Sequence, residues 1–260
     1  MARDLERFLR DGVQTTPFCP GCGHGILMNQ ILRAIDASGI PMEEMLFVSG
    51  IGCAAWIPSP HFRGDTLHTL HGRAIPFATG AKLFNPQLHT LVISGDGDLT
   101  SIGGNHLIHA ARRNTDLTVI CANNQIYGMT GGQVASTSPQ GARTATTKQG
   151  NPHRPFDLCA LVMAAGAPYV ARYAVTQPMS LMQAIQNALQ VKGFAFVEAL
   201  SPCPTQYGRR NRFDAPAAML RSLMEQCVTR EEAESMSPEK LQGKIVTGEY
   251  SQSVPLEEAP

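Results

Sequence analysis

The stretch His89-Thr-Leu-Val-Ile-Ser-Gly-Asp-Gly-Asp98 decides the fold when it is read with Leu117-Thr-Val-Ile-Cys-Ala-Asn-Asn124. Each begins as a short apolar run, the pattern of a buried strand. Each then ends in polar residues, Gly95-Asp96-Gly97 in the first and Asn123-Asn124 in the second, with 25 residues between them. Thr100 or Ser101 is placed to cap an intervening helix that runs to about Arg113. Strand, acidic turn, helix, strand, polar turn is an α/β unit with both polar turns at the carboxyl ends of parallel strands. Ligands bind at that edge in open α/β sheets.

These turns suit magnesium diphosphate. Mg2+ takes hard oxygen ligands in a near-octahedral shell, typically one or two carboxylates with phosphate oxygens. Asp96 supplies a carboxylate, Asn124 an amide oxygen, and the main-chain carbonyl of Ile126 lies within reach. Two diphosphate oxygens and a water would complete the shell. Gly95 and Gly97 let the backbone come close to phosphate. A lone Gly-Asp-Gly is also what an N-cap Asp in an ordinary turn looks like. The spaced Asn-Asn makes the pair a thiamine diphosphate signature.

Cysteines form the second constellation. Cys19 and Cys22 stand in Cys-Pro-Gly-Cys, Cys53 follows Ser49-Gly-Ile-Gly, and Cys203 lies between Pro202 and Pro204. All four have Gly or Pro neighbours that favour turns in which thiolates converge. Four such cysteines suit a closed zinc site or an iron–sulfur cluster. Cys121, Cys159 and Cys227 have apolar surroundings and read as plain core.

With these residues in view, the chain resembles the beta subunit of the two-gene 2-oxoacid:ferredoxin oxidoreductases. The resemblance spans about residues 17–210. It rests on CPGCGHG (19–25), SGIGC (49–53), HTLHGRA (68–74), GDGD (95–98), GGNHLIHAARRN (103–114), NNQIYGMTGGQ (123–133) and SPCPTQYGR (201–209). It implies a thiamine diphosphate-binding fold, specifically the diphosphate-binding domain, with a mainly parallel sheet and helices on both faces. It further implies that Cys19, Cys22, Cys53 and Cys203 ligate one 4Fe–4S cluster, and that Asp96, Asn124 and the Ile126 carbonyl ligate Mg2+. By the same resemblance Ile51, Gly52, Cys53, Ala54, His71, Gly95, Gly97, Asp98, Gly128, Met129 and Thr130 contact thiamine diphosphate.

The implied activity is oxidative decarboxylation of a 2-oxoacid. In the family the acyl group passes to coenzyme A and the electrons pass through the cluster to ferredoxin. The reverse carboxylation runs there when reduced ferredoxin is abundant. Thiamine activation needs a carboxylate on the aminopyrimidine ring, and no residue of this chain is a convincing candidate. In the family that glutamate lies in the pyrimidine domain, so it is expected on an alpha subunit that this chain requires for activity. 2-Oxoglutarate is the first substrate expectation, by analogy with two-chain relatives. Trp56 stands where 2-oxoglutarate relatives often carry a Lys or Arg, which leaves branched-chain or aryl 2-oxoacids open. Arg63 or an alpha-subunit residue could supply the missing charge. A split non-oxidative decarboxylase, its cysteines binding zinc or nothing, and an electron-relay protein without its own turnover also stay open.

Composition agrees. A chain of 260 residues can bury one large α/β core. Its formal net charge of zero gives no electrostatic case for nucleic acid. No run of 18 apolar residues marks a membrane span, and the charged start lacks a signal-peptide core. Seven cysteines without an export signal fit a reducing cytoplasm.

Along the chain, 25–35 has helical spacing and Met45–Ser49 reads as a strand. Residues 54–70 read as a long loop and 72–84 as a helix of small apolar residues. Residues 130–155 lack large apolar side chains and read as a cofactor cover, a partner contact or plain disorder. A strand is expected at Tyr169–Ala174, a helix at about Gln177–Gln190, a strand at Ala195–Leu200 and a helix at Ala217–Val228. From Arg230 onward, seven glutamates face three basic residues, and this tail reads as extended or disordered unless a partner orders it. The expected division is a cofactor domain over 1–210, then a C-terminal helix and partner-contacting tail over 211–260. His24, His106 and His109 read as structural, and Met129 as an apolar wedge against the thiamine rings.

Overall fold

In the computed structural model, which describes residues 5–13 and 15–250, the apolar runs line up as the centre of one sheet. The elements in chain order are α1 (Gly23–Ser38), β1 (Met45–Ser49), β2 (Asp65–His68), α2 (Ala74–Phe84), β3 (His89–Gly95), α3 (Gly104–Arg112) and β4 (Leu117–Asn123). They continue with α4 (Leu158–Ala164), β5 (Tyr169–Ala174), α5 (Pro178–Leu189), β6 (Phe194–Leu200), α6 (Pro216–Gln226), β7 (Cys227–Thr229), α7 (Arg230–Glu234), α8 (Pro238–Leu241) and β8 (Ile245–Glu249). The strand order is β2-β1-β3-β4-β6-β5-β8-β7. All neighbours are parallel except β5 and β8.

Alternation along each strand divides the core. Phe47, Ile93, Ile120 and Val197 face α1 and α5. Their chain neighbours Val48, Val92, Val119 and Phe196 face α2, α3 and α4. Every residue of β1, β4 and β6 is buried, which is why these strands read as continuous apolar runs rather than as alternating ones. Burial of each large apolar side chain contributes about 1.5–3 kcal/mol. Helices cover both faces, as expected.

β1 has β2 on one side and β3 on the other. The chain leaves β1 outward and then returns across it, so a crevice opens between the carboxyl ends of β1 and β3. The segment 50–54 and the turn Gly95–Gly97 meet there.

Several expectations need correction. The loop over 54–70 contains an edge strand, β2, whose residues are mostly exposed. The helix after Asp96 is not capped by Thr100 or Ser101. It opens at once as a π turn over Gly97–Ile102, and the Thr100 hydroxyl instead donates to the Asp96 carbonyl at 2.7 Å. Helix α4 was not anticipated, and Cys227–Thr229 forms a strand where a helix was expected to continue. The tail over 230–250 is neither extended nor disordered. Thr229 and Glu232 make a reciprocal capping box at α7, and β8 joins the sheet beside β5. The remainder of that expectation, 251–260, lies outside the described residues. Segment 130–155 has no regular element, yet it is pinned internally. Asn151 Nδ2 donates to the Ser138 carbonyl at 2.8 Å, and Gly141 and Ala142 exchange backbone bonds with Asn151. No helix among the described residues is long and apolar enough to cross a membrane.

Candidate active site

β3 carries Asp96, and β4 carries Asn123 and Asn124, to the same edge. Asp96 is 1% exposed. It accepts the Asn124 amide N–H at 3.3 Å and the Thr137 hydroxyl. Among the described residues no cationic side chain pairs with it, and burial lifts its carboxyl to about 6. A buried carboxylate without a counter-charge is costly, and a bound cation would offset that cost. The Ile126 N–H donates to Asn124 Oδ1 at 3.2 Å, folding Ile126 back beside Asn124 around Gln125 at φ 63°. Asp96, Asn124 and Ile126 line one cavity, and a carboxylate, an amide oxygen and a carbonyl are donor types that suit Mg2+.

The turn has its own support. Asn123 Oδ1 accepts the Gln125 N–H at 3.0 Å, and Asn123 Nδ2 donates to Glu198 Oε1 at 2.6 Å. Arg172 Nε donates to the other Glu198 oxygen at 2.7 Å. Burial pushes the Asp157 carboxyl up, but Arg172 also pairs with it and holds it below its usual value.

A cavity of about 570 Å³ lies along the crevice. All eleven expected cofactor positions, from Ile51 to Thr130, line it together with Asp96, Asn124 and Ile126. Asp98, which lines the cavity, is also a loop anchor. Its carboxylate, 2% exposed, is taken up by protein donors: Gly72 N–H at 2.7 Å, Ile51 N–H at 3.1 Å, Ser94 Oγ at 2.7 Å and His71 Nδ1. Asp98 thus ties three loops together and aims the His71 ring. The second ring nitrogen of His71 is left for a ligand. At Gly97, an added Cβ would lie 2.5 Å from the Tyr127 ring. Only glycine fits this close approach.

The four expected cysteines line a second cavity, of about 740 Å³. Cys22 stands at the N-terminus of α1, and the backbone N–H of His24 lies against its sulfur. Cys203 Sγ accepts the Gln206 N–H at 3.4 Å. Burial and the neighbouring cysteines push the Cys22 thiol to about 12 and the Cys53 thiol to about 11. Among the described residues no three His, Cys, Asp or Glu side chains converge tightly enough for a single metal ion. Four cysteines around one cavity are a donor set that zinc or an iron–sulfur cluster can use.

The two cavities share a wall of His24, Cys53, Asn124, Gly128 and Met129. A methyl group on Gly128 would sit 3.6 Å from Cys203 Sγ, 3.8 Å from Cys53 Sγ and 3.7 Å from Asn124 Nδ2. His24 was read as structural, yet it lies in this wall. Its Nδ1 is bonded to Ser201 Oγ at 2.7 Å, and burial drops its imidazole to about 4. Its neighbours in CPGCGHG were the only sequence signal for that position. Thr137, inside a low-complexity segment, gave none.

Arg63 points elsewhere, to Asp11 and the Leu9 carbonyl, and lines neither cavity. Trp56 lines the cysteine cavity. His106 and His109 line neither.

Residues 50–199 match the family of the thiamine pyrophosphate enzyme C-terminal TPP-binding domain. The 2-oxoglutarate synthase subunit KorB of Methanocaldococcus jannaschii is 51% identical over 90% of this chain and 86% of its own length. That of Methanothermobacter marburgensis is 49% identical over 90% of this chain and 82% of its own. A solved 2-oxoglutarate:ferredoxin oxidoreductase from Magnetococcus marinus, with 2-oxoglutarate, coenzyme A and succinyl-CoA bound, aligns at TM-score 0.85. It is 33% identical, and the alignment covers 98% of this chain and 87% of that one. This degree of likeness, spread over both cavities and the sheet between them, means that the chain belongs to the 2-oxoacid:ferredoxin oxidoreductases, as a beta subunit of the KorB kind.

Proposed function

We propose that this chain binds thiamine diphosphate, Mg2+ and one 4Fe–4S cluster, and that with an alpha subunit it converts 2-oxoglutarate and coenzyme A to succinyl-CoA and carbon dioxide. Two oxidised ferredoxins take the two electrons and one proton is released. The observation that carries this reading is the shared wall: Cys53 and Gly128 border both the cofactor cavity and the cysteine cavity. An electron leaving one therefore has a short path to the other.

Thiamine diphosphate supplies the carbanion chemistry that lets a 2-oxoacid lose carbon dioxide. Asp96, Asn124 and the Ile126 carbonyl would hold Mg2+ for the diphosphate, with Thr137 bonded to Asp96 and the Glu198–Asn123 contact supporting the turn. His71, aimed by Asp98, donates to a phosphate oxygen. Met129, partly exposed at the mouth of both cavities, covers the ring side and excludes water. Cys19, Cys22, Cys53 and Cys203 hold the cluster. The N–H groups on Cys22 and Cys203 stabilise its reduced state, because hydrogen bonds to sulfur help to set cluster potentials.

Among the described residues the cofactor cavity has only Asp96 and Asp98 as carboxylates, both held by the protein, which favours an activating carboxylate from the alpha subunit. Among the described residues no Lys or Arg lines either cavity, so the counter-charge for the distal carboxylate of 2-oxoglutarate comes from there too. The names of the relatives favour 2-oxoglutarate over branched-chain and aryl acids. Residues 211–250, which add α6, with Pro216 against Gly21 of the cysteine loop, and the β7–β8 pair on the edge of the sheet beside β5, are a partner-facing extension. Free cysteines at the cluster site favour a reducing cytoplasm.

The test is iron and acid-labile sulfide analysis of the anaerobic alpha–beta complex, beside the same complex carrying Cys203→Ala in this chain. Loss of about four of each per complex in the variant is expected for one four-cysteine cluster. Equal content in both would place the metal elsewhere and remove the cluster from this chain.

A further inference from the structure

We infer that a basic rim beside the cysteine cavity is the docking surface for an acidic one-electron carrier protein of the ferredoxin type. The inference rests on the cluster assignment above and adds where the acceptor binds. The whole chain is neutral, but its charge is unevenly placed. Segments 124–156 and 199–213 carry Arg143, Lys148, Arg154, Arg209, Arg210 and Arg212, without a single Asp or Glu.

The fold brings these two segments together at the cluster. Arg143 N–H donates to Asn211 Oδ1 at 2.9 Å, and Asn211 Nδ2 donates back to the Arg143 carbonyl at 3.0 Å. Arg143 and Arg212 therefore flank one clip. Arg210 ties the Gly131 carbonyl to Gln206, and Gln206 lines the cysteine cavity. Arg209 lines a shallow depression of about 630 Å³ that shares Pro204 and Thr205 with that cavity and is bordered by Pro20, inside the cysteine loop. Cys19 is exposed, so the cluster lies close beneath this surface.

Arg143, Arg209 and Arg212 are exposed, and none forms an ion pair among the described residues. Asp214, which lines the same depression as Arg209, is the nearest carboxylate in sequence and pairs with none of these arginines among the described residues. Arg210 is occupied structurally; the others are not. Unpaired cations around the exit of a redox centre attract an acidic partner and raise its rate of encounter, an effect that salt weakens. A small dye needs no such surface.

The test compares two acceptors with the assembled alpha–beta complex: an acidic ferredoxin and methyl viologen. The double variant Arg209→Glu/Arg212→Glu should raise KM for ferredoxin at low salt about tenfold or more, within the range of electrostatic steering. It should also flatten the salt dependence, while the methyl viologen rate is unchanged. The double Lys variant should retain the wild-type KM. Three results would overturn the docking surface: an unchanged ferredoxin KM, equal loss with both acceptors, or failure of the variant to assemble with the alpha chain. If the wild-type complex reduces neither acceptor, the cluster assignment falls first and the docking surface with it.

Discussion

Asp98→Asn is the most informative single change, because the aspartate looks like a cofactor contact in sequence and acts as a loop anchor in the fold. Its carboxylate accepts from two backbone N–H groups, a serine hydroxyl and the His71 ring. Asparagine has nearly the same shape and can keep each contact once the Ser94 hydroxyl rotates to accept. What it removes is charge. Hydrogen bonds to ionised groups contribute about 1.5–3 kcal/mol against about 1 kcal/mol for neutral ones. A loss of about 0.5–1 kcal/mol at each of four bonds gives roughly 2–4 kcal/mol in all. For a chain of this size that lowers Tm by about 4–16 °C. Thermal melts of the variant, with exposed Asp11→Asn as the control, measure it. Thiamine diphosphate affinity should fall as well, since Ile51 and His71 lose their anchor. A variant with wild-type Tm and lost cofactor binding would show that Asp98 touches the cofactor directly and that the anchoring account is wrong.

Other changes test separate parts of the account. Thr137→Val removes the hydroxyl on Asp96 without changing its shape; Mn2+ binding followed by electron paramagnetic resonance should weaken about tenfold, the lower bound for a bond to a charged group, and Thr137→Ser should restore it. Gly97→Ala places a methyl 2.5 Å from the Tyr127 ring, so thiamine diphosphate binding by calorimetry should be lost, with partial recovery in the Gly97→Ala/Tyr127→Leu double variant. Glu198→Ala leaves Arg172 without its most buried partner and should cost about 3–5 kcal/mol in urea unfolding, whereas Glu198→Gln keeps the Asn123 contact and should cost less. Asp157 is held below the usual carboxylate value, so its stabilising effect is present above that value and is lost as pH falls through the lowered one. Acid unfolding of Asp157→Asn should accordingly be less steep in that window.

The central strands were legible because both faces are buried, which writes β1, β3 and β4 as continuous apolar runs with polar ends. The four cysteines and the Asp96–Asn124 pair stood out because few residue types suit metal chemistry, and the fold gathers each set on one cavity. Edge elements were not legible. Asp65–His68 is a mostly exposed strand with no apolar signature, and β8 is held through backbone pairing that any sequence can make. The acidic count of the tail hid the capping box at Thr229. The anchoring role of Asp98 was hidden for a different reason: a motif says that a residue matters, but not whether it faces the ligand, the loops that hold the ligand, or both. Thr137 was invisible because its role arises only when a long irregular segment folds back onto Asp96.

The central claim is that thiamine chemistry and a four-cysteine cluster share one wall of this chain. Anaerobic visible absorption of the alpha–beta complex, during addition of Mg2+, thiamine diphosphate, coenzyme A and 2-oxoglutarate, tests it most directly. The account predicts an iron–sulfur band that bleaches once 2-oxoglutarate is present and that does not bleach with Asp96→Ala. A complex that consumes 2-oxoglutarate with no such band, or whose band never responds to it, would contradict the account.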